Sequence, residues 1–160
     1  MKKRVLSMLF IAMTMIACSS DDSSNIENDV GKEIVLKSEK NNFEVIYTQK
    51  GDLDESIMIF SISGVDKGFI SSNVVDKSDN KNLGNPALIN MHEREEGSHS
   101  YSLKDKVESI LVNYSALVND DAKKDLEINV KVFKDGKEVF NQDEKIEIGK
   151  TITSKSYTIE

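Results

Sequence analysis

Leu126–Phe140 reads LEINVKVFKDGKEVF, and this stretch decides the fold. Leu126, Ile128, Val130 and Val132 recur at every second position, with Glu127, Asn129 and Lys131 between them. Side chains alternate faces along a strand, so one face of this segment meets a core and the other meets water. Asp135-Gly136 then reverses the chain, because glycine adopts the positive φ that a tight hairpin requires. A two-residue turn pairs Val132 with Val139; a three-residue turn with a bulge moves that register by one. With the apolar row inward, Phe133 points away from the core. Phe133 and Phe140 then flank one hairpin as an exposed apolar patch, a candidate partner-binding surface. The alternative is a hairpin covered on both faces.

Outward from this hairpin the same period of two persists. Phe43, Val45 and Tyr47 alternate with Glu44, Ile46 and Thr48 before a turn signal at Gln49-Lys50-Gly51-Asp52. Ser56–Ile62 (SIMIFSI) is nearly continuously apolar, the pattern of a strand covered on both faces. Phe69–Val75 is a weaker strand, and Asp76–Asn85 a polar loop ended by Pro86, the one proline. Ala87–Met91 and Ser98–Leu103 read as a pair around a loop at Gly97. Val107–Val118 is long enough for a helix, but Ile110, Val112, Tyr114, Ala116 and Val118 alternate, which favours strand. A last strand runs through Ile152, Tyr157 and Ile159. Eight to ten short strands without a convincing helix predict an all-β antiparallel sandwich over residues 32–160, immunoglobulin-like or transthyretin-like, with a closed barrel as the alternative.

The N-terminus carries a different signal. Lys2, Lys3 and Arg4 precede an uncharged run from Val5 to Ala17, and Cys18 follows. Thirteen residues suit a signal peptide, since a membrane-spanning helix needs about 20. Met15-Ile16-Ala17-Cys18 resembles the lipobox of bacterial lipoproteins, and Ser19-Ser20-Asp21-Asp22 resembles the acidic tether of surface lipoproteins from Bacteroidota. The resemblance implies a signal peptide over residues 1–17, cleavage before Cys18, lipidation of its thiol and acylation of the new amine. It also implies an outer-membrane anchor, facing the cell surface or the periplasm. Cys18 is the only cysteine, so no disulfide within the chain is available to the exported domain. Residues 18–31 form the tether, acidic and too polar to bury anything, and are expected to be disordered.

Charge excludes one class of partner. The first 17 residues hold three of the 21 bases and none of the 28 acids, so the chain from Cys18 carries 18 bases against 28 acids, net −10. Without the tether's Asp21, Asp22, Glu27 and Asp29 the domain carries −6. Acids and bases alternate along it with no basic stripe, which argues against nucleic acid.

The chemistry-bearing motifs are fragments. His92-Glu93-Arg94-Glu95-Glu96 departs from the zinc-protease pattern HExxH by placing Glu96 where the second imidazole belongs. His99, across a hairpin near Gly97, is the other candidate ligand. Asp76, Ser78, Asn80, Asn82 and Gly84 offer oxygens at alternate positions, yet Lys81 stands where a calcium loop needs glycine. Asn119-Asp120-Asp121 is a second acidic loop. Ser78-Asp79-Asn80-Lys81 matches S-x-x-K, outside the helical context that acyl enzymes use. The expectation is a non-catalytic, lipid-anchored envelope module without metal or cofactor. Its partners are the membrane through Cys18 and an envelope protein or glycan. The alternative is a metal-dependent or hydrolytic enzyme built on loops 76–86 and 91–99.

Overall fold

The computed structural model describes residues 39–67 and 69–160. The signal segment 1–17, Cys18 and the tether 18–31 lie outside the described residues. The described residues fall within one compact unit.

The first strands are β1 (Phe43–Lys50), β2 (Ser56–Asp66), β3 (Phe69–Ser72), β4 (Val74–Asp76), β5 (Lys81–Gly84) and β6 (Ala87–Asn90), with alternating buried positions in β1, β4 and β6. A 3-10 turn, Met91–Glu93, precedes β7 (Gly97–Leu103), β8 (Ser109–Val118), β9 (Leu126–Lys134), β10 (Lys137–Ile146) and β11 (Thr151–Ile159). All pairings are antiparallel. One sheet has the order β10-β9-β1-β7-β4-β5; the other runs β11-β8-β2-β3, with β6 also paired to β2. The protein is therefore the all-β antiparallel sandwich that the periodicity predicts.

The inward rows of both sheets meet in one core. Phe43, Val45 and Tyr47 of β1 and Leu126, Ile128, Val130 and Val132 of β9 are buried from one side. Met58, Phe60 and Ile62 of β2 with Ile110, Val112 and Tyr114 of β8 are buried from the other. The rings of Tyr47 and Phe60 lie 4.9 Å apart and those of Phe60 and Tyr101 6.3 Å apart, a tilted aromatic stack between the sheets. Burial pushes the Tyr47 phenol up from its ordinary pKa and that of Tyr101 to about 12.

The open side of the sandwich is closed by edge strands β10 and β11. Glu144 of β10 accepts hydrogen bonds from Tyr114 Oη (3.2 Å), Gln142 Nε2 (3.2 Å) and Lys155 Nζ. Beside it Phe140 packs on Tyr157, ring centroids 4.8 Å apart.

Five expectations are corrected. The hairpin has the two-residue Asp135-Gly136 turn, both residues at positive φ (48° and 81°), but Val132 faces Phe140 because a bulge falls between Glu138 and Phe140. Ser56–Ile62 is covered on one face only: Ile57 is 52% exposed and Ile59 37%. Phe69–Val75 is two strands, with β3 in one sheet and β4 in the other, so the chain changes sheets at Asn73. Ala87–Met91 and Ser98–Leu103 do not pair with each other; β6 joins β2 while β7 joins β1 and β4. The polar loop after Asp76 is itself a short hairpin, β4 against β5.

Candidate functional site

The two segments that carried the fragmentary motifs are brought together, by structural bonds. Asp76 ends β4 with its side chain 3% exposed. Its Oδ1 accepts from the Ser78 amide (3.0 Å) and Ser78 Oγ (2.7 Å), and its Oδ2 pairs with Arg94 Nη2 at 2.9 Å. Burial works against the charge, yet the Ser78 bonds and the Arg94 guanidinium together hold the carboxyl below its usual range. Asp79 Oδ1 accepts from the Lys81 amide and Asn82 Oδ1 from the Gly84 amide. The alternating oxygens of 76–84 therefore shape a turn around its own backbone.

Gln49, 1% exposed, clasps the other segment. Its Nε2 donates toward the carbonyls of Met91 (2.9 Å), Arg94 (3.1 Å) and Glu95 (3.2 Å). The sequence places Gln49 in a turn, but it is the last inward position of β1, facing Ile128 across the pair with β9. His99 Nε2 lies 2.9 Å from the Glu95 carbonyl, which fixes that nitrogen as the donor. His92 Nε2 lies 3.9 Å from Glu93 Oε1. Among the described residues no three His, Cys, Asp or Glu side chains converge as a metal site.

Phe133 and Phe140 do not form one patch. Phe140 faces Val132 and packs against the core; Phe133, one position along β9, is half-buried on the opposite face. The bulge at Val139 is the cause, since it returns Phe140 to the inward row.

A site that the motifs missed lies on the outer face of β1, β9 and β10. Antiparallel register sets two polar rows across these three strands. Thr48, Asn129 and Asp143 form the first, and Lys50, Glu127 and Lys145 the second. They line a groove of about 470 Å³. A hollow of about 230 Å³ shares Lys50, Glu127 and Lys145 and runs on to Lys124 and Asp125. Asn129 Nδ2 donates to Asp143 Oδ1 (2.8 Å) and Asn141 Oδ1 (2.7 Å), which orients the amide in the groove. Lys145 Nζ pairs with Asp125 Oδ2 at 3.0 Å, and Asp125 Oδ1 accepts from the Ile148 amide. The Lys145 bond, then the Ile148 amide, lowers the Asp125 pKa; the Asp125 bond raises that of Lys145. Both are solvent-screened, so the pair is positional more than stabilising. Hydroxyl, amide, carboxylate and ammonium groups thus stand along one groove, with the Asn129 amide and the Lys145 ammonium held by bonds to their neighbours.

No family model matches the chain, and no curated protein matches it. Three solved structures share the fold. A domain of unknown function, DUF4425, from Bacteroides vulgatus superimposes with a TM-score of 0.60 at 21% identity, over 75% of this chain and 94% of that one. A DUF4425 family protein from Bacteroides ovatus gives 0.59 at 19%, over 76% and 95%. The calcium-bound form of a protein from Parabacteroides distasonis gives 0.59 at 19%, over 74% and 92%. At these identities the likeness is one of fold.

Proposed function

We propose that this chain is a non-catalytic, lipid-anchored module of the cell envelope whose groove over β1, β9 and β10 binds a polar, hydroxyl-rich ligand of the glycan class. The observation that carries the reading is the pair of rows Thr48-Asn129-Asp143 and Lys50-Glu127-Lys145, which lines an open groove with hydroxyl, amide, carboxylate and ammonium groups. Sugar hydroxyls are donors and acceptors at once and match such a lining. The lipobox-like Met15-Ile16-Ala17-Cys18 supports the anchor, and the Bacteroides and Parabacteroides origin of the fold's neighbours accords with the Bacteroidota-like tether.

Two experiments test the two halves. Titration with envelope-derived oligosaccharides should register binding that Asn129→Ala and Asp143→Ala each weaken at least about tenfold, the loss of one hydrogen bond to a charged or oriented partner. Unchanged affinity in both variants would remove the groove from consideration. Cys18→Ala should move the protein from the membrane fraction to the soluble one. Unchanged fractionation, with no lipid in the intact mass of the wild type, would refute the anchor.

A further inference from the structure

The two outer faces of the sandwich differ in kind. The outer face of β1, β9 and β10 carries Glu44, Lys50, Glu127, Lys131, Glu138 and Lys145. The outer face of the other sheet carries no charge on its paired rows. From β2 it presents Ile57, Ile59 and Ser61; from β8, Leu111, Asn113, Ser115 and Leu117. β6 adds Leu88 and Asn90, and β11 adds Thr151, Ser156 and Thr158. In a chain that is 31% charged, this absence sets the face apart. Its apolar side chains also stand out into solvent, Leu88 at 71% and Ile57 at 52%. The one lysine in the paired part of β11, Lys155, faces inward to Glu144, and at the margin of the face the Glu93 carboxylate accepts from Asn90 Nδ2 at 3.1 Å.

We infer that this face is a homodimer interface, packed against the same face of a second copy. With eleven residues in β2, ten in β8, nine in β11 and four in β6, a rise of about 3.3 Å per residue and a strand spacing of about 4.8 Å give a plane of roughly 500 Å². Corrugation by side chains raises the accessible area, toward the roughly 800 Å² per partner of a standard stable interface. A neutral face also matches itself, whereas the charged outer face of this chain does not match it. The domain's net negative charge lies elsewhere and is screened across the thickness of the sandwich.

The relief of the face is self-complementary. Leu88 projects beside Ser61 at one end. At the other end a hollow of about 290 Å³ opens among Ile57, Ser115, Leu117, Thr151 and Thr153. Along β2 the two are four residues apart, about 13 Å, on opposite sides of the row that joins Ile59 to Ser115. A two-fold axis lying in the plane of the face, crossing that row at right angles to the line from Leu88 to the hollow, seats Leu88 of each copy in the hollow of the other, the reciprocal contact that a two-fold interface demands.

Sedimentation of the purified full chain, over a concentration series with and without mild detergent, tests this. A wild type of twice the chain mass, with Leu88→Glu and Ile59→Lys both at single mass, is the expected result. Each substitution occurs twice in a two-fold interface and buries unpaired charge, so the dimer constant should weaken at least about a hundredfold. Both sites are solvent-exposed in one copy, so melting temperatures near wild type confirm that the variants fold; Lys131→Glu on the opposite face should stay dimeric. A wild type that remains monomeric throughout overturns the inference, as does a dimer indifferent to both substitutions. So does a monomer that binds phosphatidylcholine vesicles and loses that binding with Leu88→Glu, because the face would then rest on lipid.

Discussion

Replacing Asp76 by Asn probes the joint between the β4–β5 hairpin and the segment 91–96. Asparagine keeps one oxygen for the two Ser78 donors but turns an amide toward Nη2 of Arg94, which accepts nothing from it. One charge-assisted bond at 2.9 Å is lost. Such bonds contribute about 1.5–3 kcal/mol. Arg94 is about a third exposed, so water takes up part of the loss and the lower end, about 1.5 kcal/mol, applies. For a domain of this size that lowers Tm by roughly 6 °C. The pH dependence carries the sharper test. The folded pKa of Asp76 lies below the unfolded one, so its stabilisation is complete above the unfolded carboxylate pKa, about 3.9. It is lost as pH falls through the folded value. The gap in Tm between wild type and Asp76→Asn should hold steady from neutrality to about pH 5 and narrow below about pH 4. Calorimetry across this range reads it directly. No gap at neutral pH, or one that persists undiminished in acid, would refute the assignment of the charge to the joint.

Gly136→Val should lower the urea midpoint by the equivalent of at least about 1 kcal/mol, because a β-branched residue is strained at φ +81°; nothing lies within 4 Å of the added Cβ, so an unchanged midpoint would mean the turn relaxes freely. Phe140→Ala should cost about 2–3 kcal/mol by chemical denaturation, while Phe133→Ala, half-buried on the other face, should cost less than about 1; equal costs would contradict the bulged register. Added calcium should leave Tm unchanged, since a ligand that binds only the folded state must raise it; a concentration-dependent rise would reveal an ion site among the acidic loops.

The strands were legible because burial imposes a period of two on the residues themselves: β1, β8 and β9 follow their apolar rows position by position. What the pattern cannot state is which strand lies beside which. Ala87–Met91 and Ser98–Leu103 look like a hairpin from their spacing, yet they belong to different sheets, because Gln49 and Asp76 hold the intervening residues against β1 and β4. The bulge at Val139 left no mark, since Val139 and Phe140 are both apolar and either fits the inward row. The groove was hidden for the same reason. Thr48 and Asn129 are ordinary outward residues until register sets them side by side. Ile57 and Ile59 misled in the opposite direction: an apolar residue on an outer face looks buried in sequence.

The position of β1 within its sheet also bears on how the chain folds. Phe43 pairs with Lys134 and Lys50 with Glu127, so closing this pair brings together segments on the order of eighty residues apart. β2 likewise waits for β8. The two strands at the heart of the sheets come early in the chain, and their principal neighbours come late. Local pairing of β9 with β10 can form quickly, but the ring of contacts around β1 has to wait for the loop entropy to be overcome, which places this domain among slow, high-contact-order folders. A growing or partly threaded chain that ends before Leu126 leaves one side of β1 open. Folding therefore completes only after the C-terminal third has arrived.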